Sequence, residues 1–88
     1  MYTFGITRYI DGTLDYTAGN VNGLYLTNEK ALDDARRWAK YWKYNYAAAP
    51  DVAHASYMET PQGATILVEL KDGRNILTYF EIAKEVEE

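Results

Sequence analysis

The sequence predicts an α+β fold in which one long helix packs on one face of an antiparallel sheet of four to five strands. Residues 27–49 repeat apolar side chains at the spacing of a helix, and the segments on either side alternate apolar and polar residues as strands do. The dipeptide Asp-Gly, which favours tight hairpin turns, occurs twice between such segments. With 88 residues the chain suits a single domain. The helix is the only predicted cover for the apolar side of the sheet.

The first predicted element is a β-hairpin. Residues 2–10 alternate in polarity, residues 13–17 return as a second strand, and Asp-Gly at 11–12 supplies a two-residue turn between them. This register sets Arg8 opposite Asp15, and an opposite-charge pair across two strands supports it. A loop then leads to the helix.

The helix is predicted to begin at Thr27 or Asn28, which are both good N-caps, and to end before Pro50. Acidic residues come first and basic residues follow, an order that complements the helix dipole. One side of the helix carries small residues and both tryptophans, and we expect it to lie against the sheet: Ala31, Leu32, Ala35, Trp38, Ala39, Trp42 and Tyr46. The opposite side carries Arg36, Arg37, Lys40, Tyr41, Lys43 and Tyr44.

A three-stranded meander is predicted after the helix. Its strands cover residues 52–59, 64–71 and 75–82, and the middle one is the most hydrophobic, which predicts a central place in the sheet. Residues 60–63 form the first turn, and Asp-Gly at 72–73 forms a second two-residue turn that pairs Lys71 with Arg74. Residues 83–88 are predicted to be an acidic tail or a short helical turn.

Composition narrows the class of protein. The net charge of −4 argues against general nucleic-acid binding, and the absence of cysteine excludes disulfides and thiolate chemistry. No apolar run approaches the ~18 residues of a membrane span. The first residues lack the basic and apolar regions of a signal peptide. We therefore expect a cytoplasmic protein that does not enter a membrane.

Catalytic chemistry is poorly represented. His54 is the only histidine and Ser56 the only serine, and a nucleophile built from them would need Asp51 or Asp72 to orient the imidazole. The aspartates at turns are explained by their bonds to their own backbone, and no glycine-rich loop precedes the helix. The sequence therefore predicts no enzyme, no cofactor and no metal site beyond a weak set of oxygen ligands.

The polar side of the helix is the candidate binding surface. Arg37, Lys40, Tyr41 and Tyr44 recur there at helical spacing, and exposed tyrosines add nothing to solubility. Tyrosine and arginine are favoured at protein interfaces, so we predict that these four residues contact a protein partner. The alternative is an ordinary solvated helix face.

The order of elements resembles small phage-encoded α+β proteins, among them some anti-CRISPR proteins. The matching residues lie between Leu24 and Ile82: Thr27, Glu29 and Ala31; Ala35 and Ala39; Pro50, Asp51 and Val52; and Asp72 with Gly73. The resemblance implies a non-enzymatic inhibitor that occludes a host protein complex, and it implies no role for any individual residue. The aromatic-rich helix departs from the alanine- and glutamate-rich helices usual in those proteins.

Two other functions remain open at this point. The basic and aromatic helix side could hold nucleic-acid phosphates while its tyrosines stack on bases. The chain could also form a homodimer, either through the helix side or through the strand at residues 2–10, which is predicted at a sheet edge without proline or lysine. The acidic tail, with Glu81, Glu85, Glu87 and Glu88, is interpreted as a solvated terminus rather than a mimic of phosphate spacing.

Overall fold

A computed structural model of the protein describes residues 1–84 and has the predicted fold, one helix packed on a five-stranded antiparallel sheet. The elements are β1 (Tyr2–Ile10), β2 (Thr13–Ala18), α1 (Asn28–Ala48), β3 (Val52–Thr60), β4 (Gly63–Leu70) and β5 (Asn75–Lys84). The strands lie in the order β2-β1-β5-β4-β3.

The helix begins and ends where its caps predict. The Thr27 side chain accepts a hydrogen bond from the Lys30 amide at 3.1 Å, so Thr27 is the N-cap. Three alanines, Ala31, Ala35 and Ala39, are fully buried, and Ala35 and Ala39 belong to the core cluster that the helix forms with the sheet. Small side chains at these positions let the helix backbone approach the strands closely, and the larger Trp38 and Trp42 pack beside them.

Two residues predicted on the solvent side of α1 are not there. The Arg36 guanidinium donates to the backbone carbonyls of Thr60 at 2.6 Å and Gly63 at 3.0 Å. Arg36 therefore fastens the helix to the β3–β4 turn, and Lys43 is half-buried on the same side of the helix. Helical spacing alone could not predict that Arg36 and Lys43 are partly buried, because the position of the strand ends decides which flank of the helix contacts the sheet.

The strand order corrects one expectation and confirms another in part. β1 was predicted at an edge of the sheet, but it pairs with both β2 and β5, so β1 itself has no free backbone edge on which a second copy could pair. β4 is an interior strand as its hydrophobicity suggests, yet the middle strand is β5. β1 and β5 are the first and last strands of the sequence. Their pairing is a long-range contact, so the turn residues give no information about it.

The first Asp-Gly turn is confirmed. Asp11 and Gly12 have φ angles of 50° and 82°, as a type I′ turn requires, and Ile10 pairs with Thr13. A bulge between Arg8 and Tyr9 shifts the register beyond the turn, so Arg8 lies opposite Tyr16 and not opposite Asp15. The predicted charge contact nevertheless forms, since Arg8 Nη2 lies 2.6 Å from the Asp15 carboxylate.

The second Asp-Gly turn differs from the prediction. The Leu70 amide donates to the Arg74 carbonyl at 2.8 Å, and the Gly73 amide donates to Leu70 at 3.0 Å. Three residues, Lys71 to Gly73, thus form the loop, with Gly73 at φ 94°. Lys71 does not pair with Arg74, and Glu69 pairs with Asn75.

The end of β5 also differs from the prediction. Ala83 and Lys84 pair with β1, so the expected tail or helical turn does not begin at residue 83. Glu81 is an exposed residue within the strand. The other three glutamates assigned to the acidic tail lie outside the described residues.

Candidate functional site

The four predicted partner-binding residues share one exposed side of α1, which we call the outer helix face: Arg37, Lys40, Tyr41 and Tyr44. Tyr41 is 59% and Tyr44 73% exposed. The Tyr41 ring meets the edge of Trp38 with 6.0 Å between ring centroids. Tyr41 is therefore held against a partly buried neighbour while more than half of its surface is open to a partner.

Charges on the outer helix face are partly balanced by their neighbours. Arg37 forms an ion pair with Asp34 at 3.1 Å, and the Lys40 ammonium lies 5.6 Å from the centre of the Tyr57 ring. Asp33 and Glu59 border the same shallow depression as Arg37 and Lys40. The surface alternates acidic and basic groups, so it is less cationic than the sequence suggested.

A groove that the sequence did not reveal runs along the flank of α1 that faces β1, β2 and the β2–α1 loop. It consists of two adjoining depressions that share Tyr41. The first is lined by Asn22, Asp34, Arg37, Trp38 and Tyr41. The second is lined by Arg8, Tyr41, Trp42, Asn45, Tyr46 and Ala49. We call the two together the aromatic groove.

The groove exists because the helix does not reach the outermost strand. α1 packs on β1, β3, β4 and β5, and from β2 the Tyr16 ring lies 6.4 Å from that of Trp42. Trp42 also meets the buried Phe80 edge-on at 5.3 Å. Both tryptophans contact the core as predicted, but each is half-buried and presents its remaining surface to the groove.

The loop between β2 and α1 forms the far wall of the groove. Tyr25 exchanges backbone hydrogen bonds with Tyr2, and its hydroxyl donates to Asp34 on the helix. Burial, followed by the hydrogen bond to Asp34, raises the pKa of Tyr25 to about 12. The loop is thus attached to both the sheet and the helix, and the wall it forms is fixed at neutral pH.

In residues 1–84 the Ser56 hydroxyl and the His54 imidazole, which were weighed for catalysis, form no hydrogen bond with each other. The Ser56 hydroxyl donates to the Leu67 carbonyl at 3.5 Å, and His54 is an exposed residue on the same edge strand. Within residues 1–84 no three histidine or carboxylate side chains come together as metal ligands would. These positions are explained by strand pairing.

The face of the sheet opposite α1, which we call the open sheet face, was also missed. Strand pairing aligns a row of residues across the sheet: Leu14, Tyr9, Leu77 and Leu67. The sequence of β5 contained an indication of this face. Apolar residues occupy its odd positions, Leu77 and Tyr79, as well as its even positions, Ile76 and Phe80. Such a pattern indicates a strand with apolar side chains on both faces.

Comparisons with protein-family models, with curated proteins and with solved structures found no match for this chain. In residues 1–84 no helix has the length and hydropathy needed to cross a bilayer.

Proposed function

We propose that this protein is a small non-enzymatic binding module that docks a protein partner on the outer helix face. The observation that carries the proposal is the exposure of Tyr41 and Tyr44, one turn apart on a helix that is capped and packed along its length. A tyrosine side chain contributes a large contact area and loses little conformational freedom on binding. The loss is smaller again when the ring is carried by a rigid helix. Arg37 stands one turn before Tyr41 and supplies hydrogen-bond donors at the same surface.

The aromatic groove favours a partner that also reaches around the flank of the helix. Tyr41 belongs to both the outer helix face and the groove, so a partner side chain that enters the groove touches Tyr41 from the side. Binding energy concentrates where an aromatic anchor meets a cleft. Tyr41 is therefore the expected centre of the contact, and Tyr44 and Lys40 lie nearer its rim.

Nucleic acid is the less favoured partner. Binding to phosphates requires clustered positive charge, whereas Asp34 pairs with Arg37 and Asp33 lies beside it. The net charge of −4 adds a long-range repulsion for a polyanion. Mixed charge around two tyrosines suits a protein surface better.

In biological terms, the protein would act as an inhibitor of phage type, which binds a host protein complex and blocks access to it. Support for this narrower role comes from the sequence resemblance to small phage-encoded proteins of anti-CRISPR type. A host complex in the cytoplasm would be its target. Occlusion needs only a stable contact surface, which a single helix face on a rigid sheet can provide.

The experiment that tests the proposal is site-specific photo-crosslinking in lysate of the cells that make or receive the protein. A benzophenone amino acid replaces Tyr44 in one variant and Leu26, which lies before the helix and is 73% exposed, in a matched control. We expect one protein to be linked at position 44 and not at position 26. The proposal fails if both positions label the same proteins equally, or if position 44 labels nucleic acid.

A further inference from the structure

We propose that the open sheet face is a dimerisation surface, on which a second copy of this chain packs sheet against sheet. The surface is distinct from the outer helix face, which lies on the other side of the sheet. The observations are the row of residues across the strands, the position of charges around it and the size of the face.

The row is apolar across most of the sheet. Tyr9 pairs with Leu14 on one side and with Leu77 on the other, and Leu77 pairs with Leu67. Leu14 and Leu67 are exposed, and Leu67 keeps 41% of its surface open although it lies on an interior strand. In the adjoining row Tyr79 meets Tyr9 edge-on at 6.0 Å, and Met58 is 63% exposed at the β3 edge.

A second sheet is wide enough to cover this row. The row crosses four strands that lie about 4.8 Å apart, and the same sheet in a second copy has the same width. On the other face α1 leaves β2 largely uncovered. Two sheets packed about 10 Å apart would cover the row from end to end.

The placement of charge selects the relative orientation. The open sheet face carries Glu69 towards one end of the strands and Glu81 towards the other. A two-fold axis parallel to β5 would place Glu81 against its own copy, since β5 is the middle strand. An axis along the row avoids this and sets Glu81 towards the end of the partner sheet that carries Lys71, where Arg74 is already paired with Asp72.

With the axis along the row, each row residue meets its own copy. Leu77 then lies on Leu77 and Leu67 on Leu67, and the neighbouring row, which contains Met58, Thr65, Tyr79 and Thr7, faces the row that contains Glu69, with Thr65 opposite Glu69. A threonine hydroxyl opposite a carboxylate is a donor opposite an acceptor. The interface is therefore self-complementary in polarity at these positions.

The area indicates a weak dimer. Five strands with about six residues each in the interface cover about 500 Å² in each copy and about 1,000 Å² for the pair. That area is close to the lower limit for a specific interface, so we expect a dissociation constant in the micromolar range.

Sedimentation velocity across about 1–200 μM, the range in which an interface of this size dissociates, tests the proposal. We expect a concentration-dependent shift from monomer to dimer in the unmodified protein. Leu67→Lys brings two ammonium groups together near the axis and should weaken the dimer at least ~10-fold. Met58→Lys, at a position that is 63% exposed on the edge strand β3, should weaken it as well and covers the case in which Leu67→Lys fails to fold.

Leu26→Lys is the matched control, because it adds the same charge at an exposed leucine outside the open sheet face. It should sediment like the unmodified protein. A monomer at every concentration would overturn the proposal. So would a dimer that survives Leu67→Lys and Met58→Lys but is lost on Tyr41→Ala, since that result would place the contact on the helix.

Discussion

At the scale of the residue, Arg36 and Arg37 show how adjacent identical side chains take different roles. Arg36 bonds the carbonyls of Thr60 and Gly63, and Arg37 points away with 76% of its side chain exposed. An added Cβ at Gly63 would collide with the Phe80 backbone, so the chain passes close to β5 at the point that Arg36 holds. The difference between the two arginines comes from the β3–β4 turn.

This difference gives a stability prediction. Arg36→Ala should lower the free energy of unfolding by about 1–3 kcal/mol, because it leaves two carbonyls without a charged donor. Arg37→Ala should change it by less than about 0.5 kcal/mol, since an exposed ion pair contributes little. Urea denaturation of both variants measures the two values. Equal losses would show that the turn contact does not stabilise the fold.

The Tyr25 hydroxyl provides a pH-dependent test of the β2–α1 loop. Its pKa is about 12 in the folded protein against 10.0 as the reference value, so folding favours the neutral form. The stabilisation is complete below about pH 10 and is lost as the pH rises towards 12.

Tyr25→Phe should therefore be less stable than the unmodified protein at neutral pH, by about 1 kcal/mol for the lost hydrogen bond. The gap should narrow between about pH 10 and pH 12, because the variant has no hydroxyl to ionise at this position. Denaturation midpoints of both proteins across this range measure the gap. Both proteins contain the other tyrosines, including Tyr57, whose pKa is also raised to about 12. The contribution of those residues to the pH dependence therefore cancels in the comparison. A difference in stability that stays constant across this pH range would show that ionisation of Tyr25 is not linked to folding.

At the scale of the element, the buried alanines of α1 allow the helix to pack closely on the sheet. Ala35→Leu adds three carbons where the helix contacts the sheet and should cost about 1–3 kcal/mol. Ala47→Leu makes the same change on an exposed position near the end of the helix and should be close to neutral. Thermal denaturation distinguishes them. If both variants keep the unmodified midpoint, the helix does not pack as closely as its alanines indicate.

Local elements could be predicted from the sequence to the extent that their cause is local. The N-cap at Thr27, the stop before Pro50 and the Asp11–Gly12 turn each depend on one or two residues and their immediate neighbours. The second Asp-Gly pair shows the limit. Asp-Gly fits both a two-residue turn and a three-residue loop that ends in a left-handed glycine, and the register of β4 against β5 selects the latter.

At the scale of the whole molecule, the sheet order was not predictable because β1 and β5 pair across almost the full length of the chain. That pairing places β1 inside the sheet and makes β2 and β3 the edges. The outer helix face needed only helical spacing and was found in advance. The aromatic groove and the open sheet face depend on which strands the helix covers, so they could be described only once the strand order was known.

The strand order also separates the two proposed surfaces. The outer helix face lies on one side of the sheet and the open sheet face on the other, so a partner and a second copy would not compete. A variant of one surface should leave the other active. This independence makes each surface the control for the other.

The most direct test of the central claim measures the affinity of the crosslinked partner, once purified, for a Tyr41→Ala and Tyr44→Ala double variant. We expect the variant to keep its thermal midpoint, because both rings lie outside the core, and to lose more than ~2 kcal/mol of binding free energy. A Leu24→Ala and Leu26→Ala variant, which removes exposed leucine surface outside α1, should bind normally. Unchanged affinity in the tyrosine variant at an unchanged midpoint would contradict the claim that the outer helix face is the binding surface.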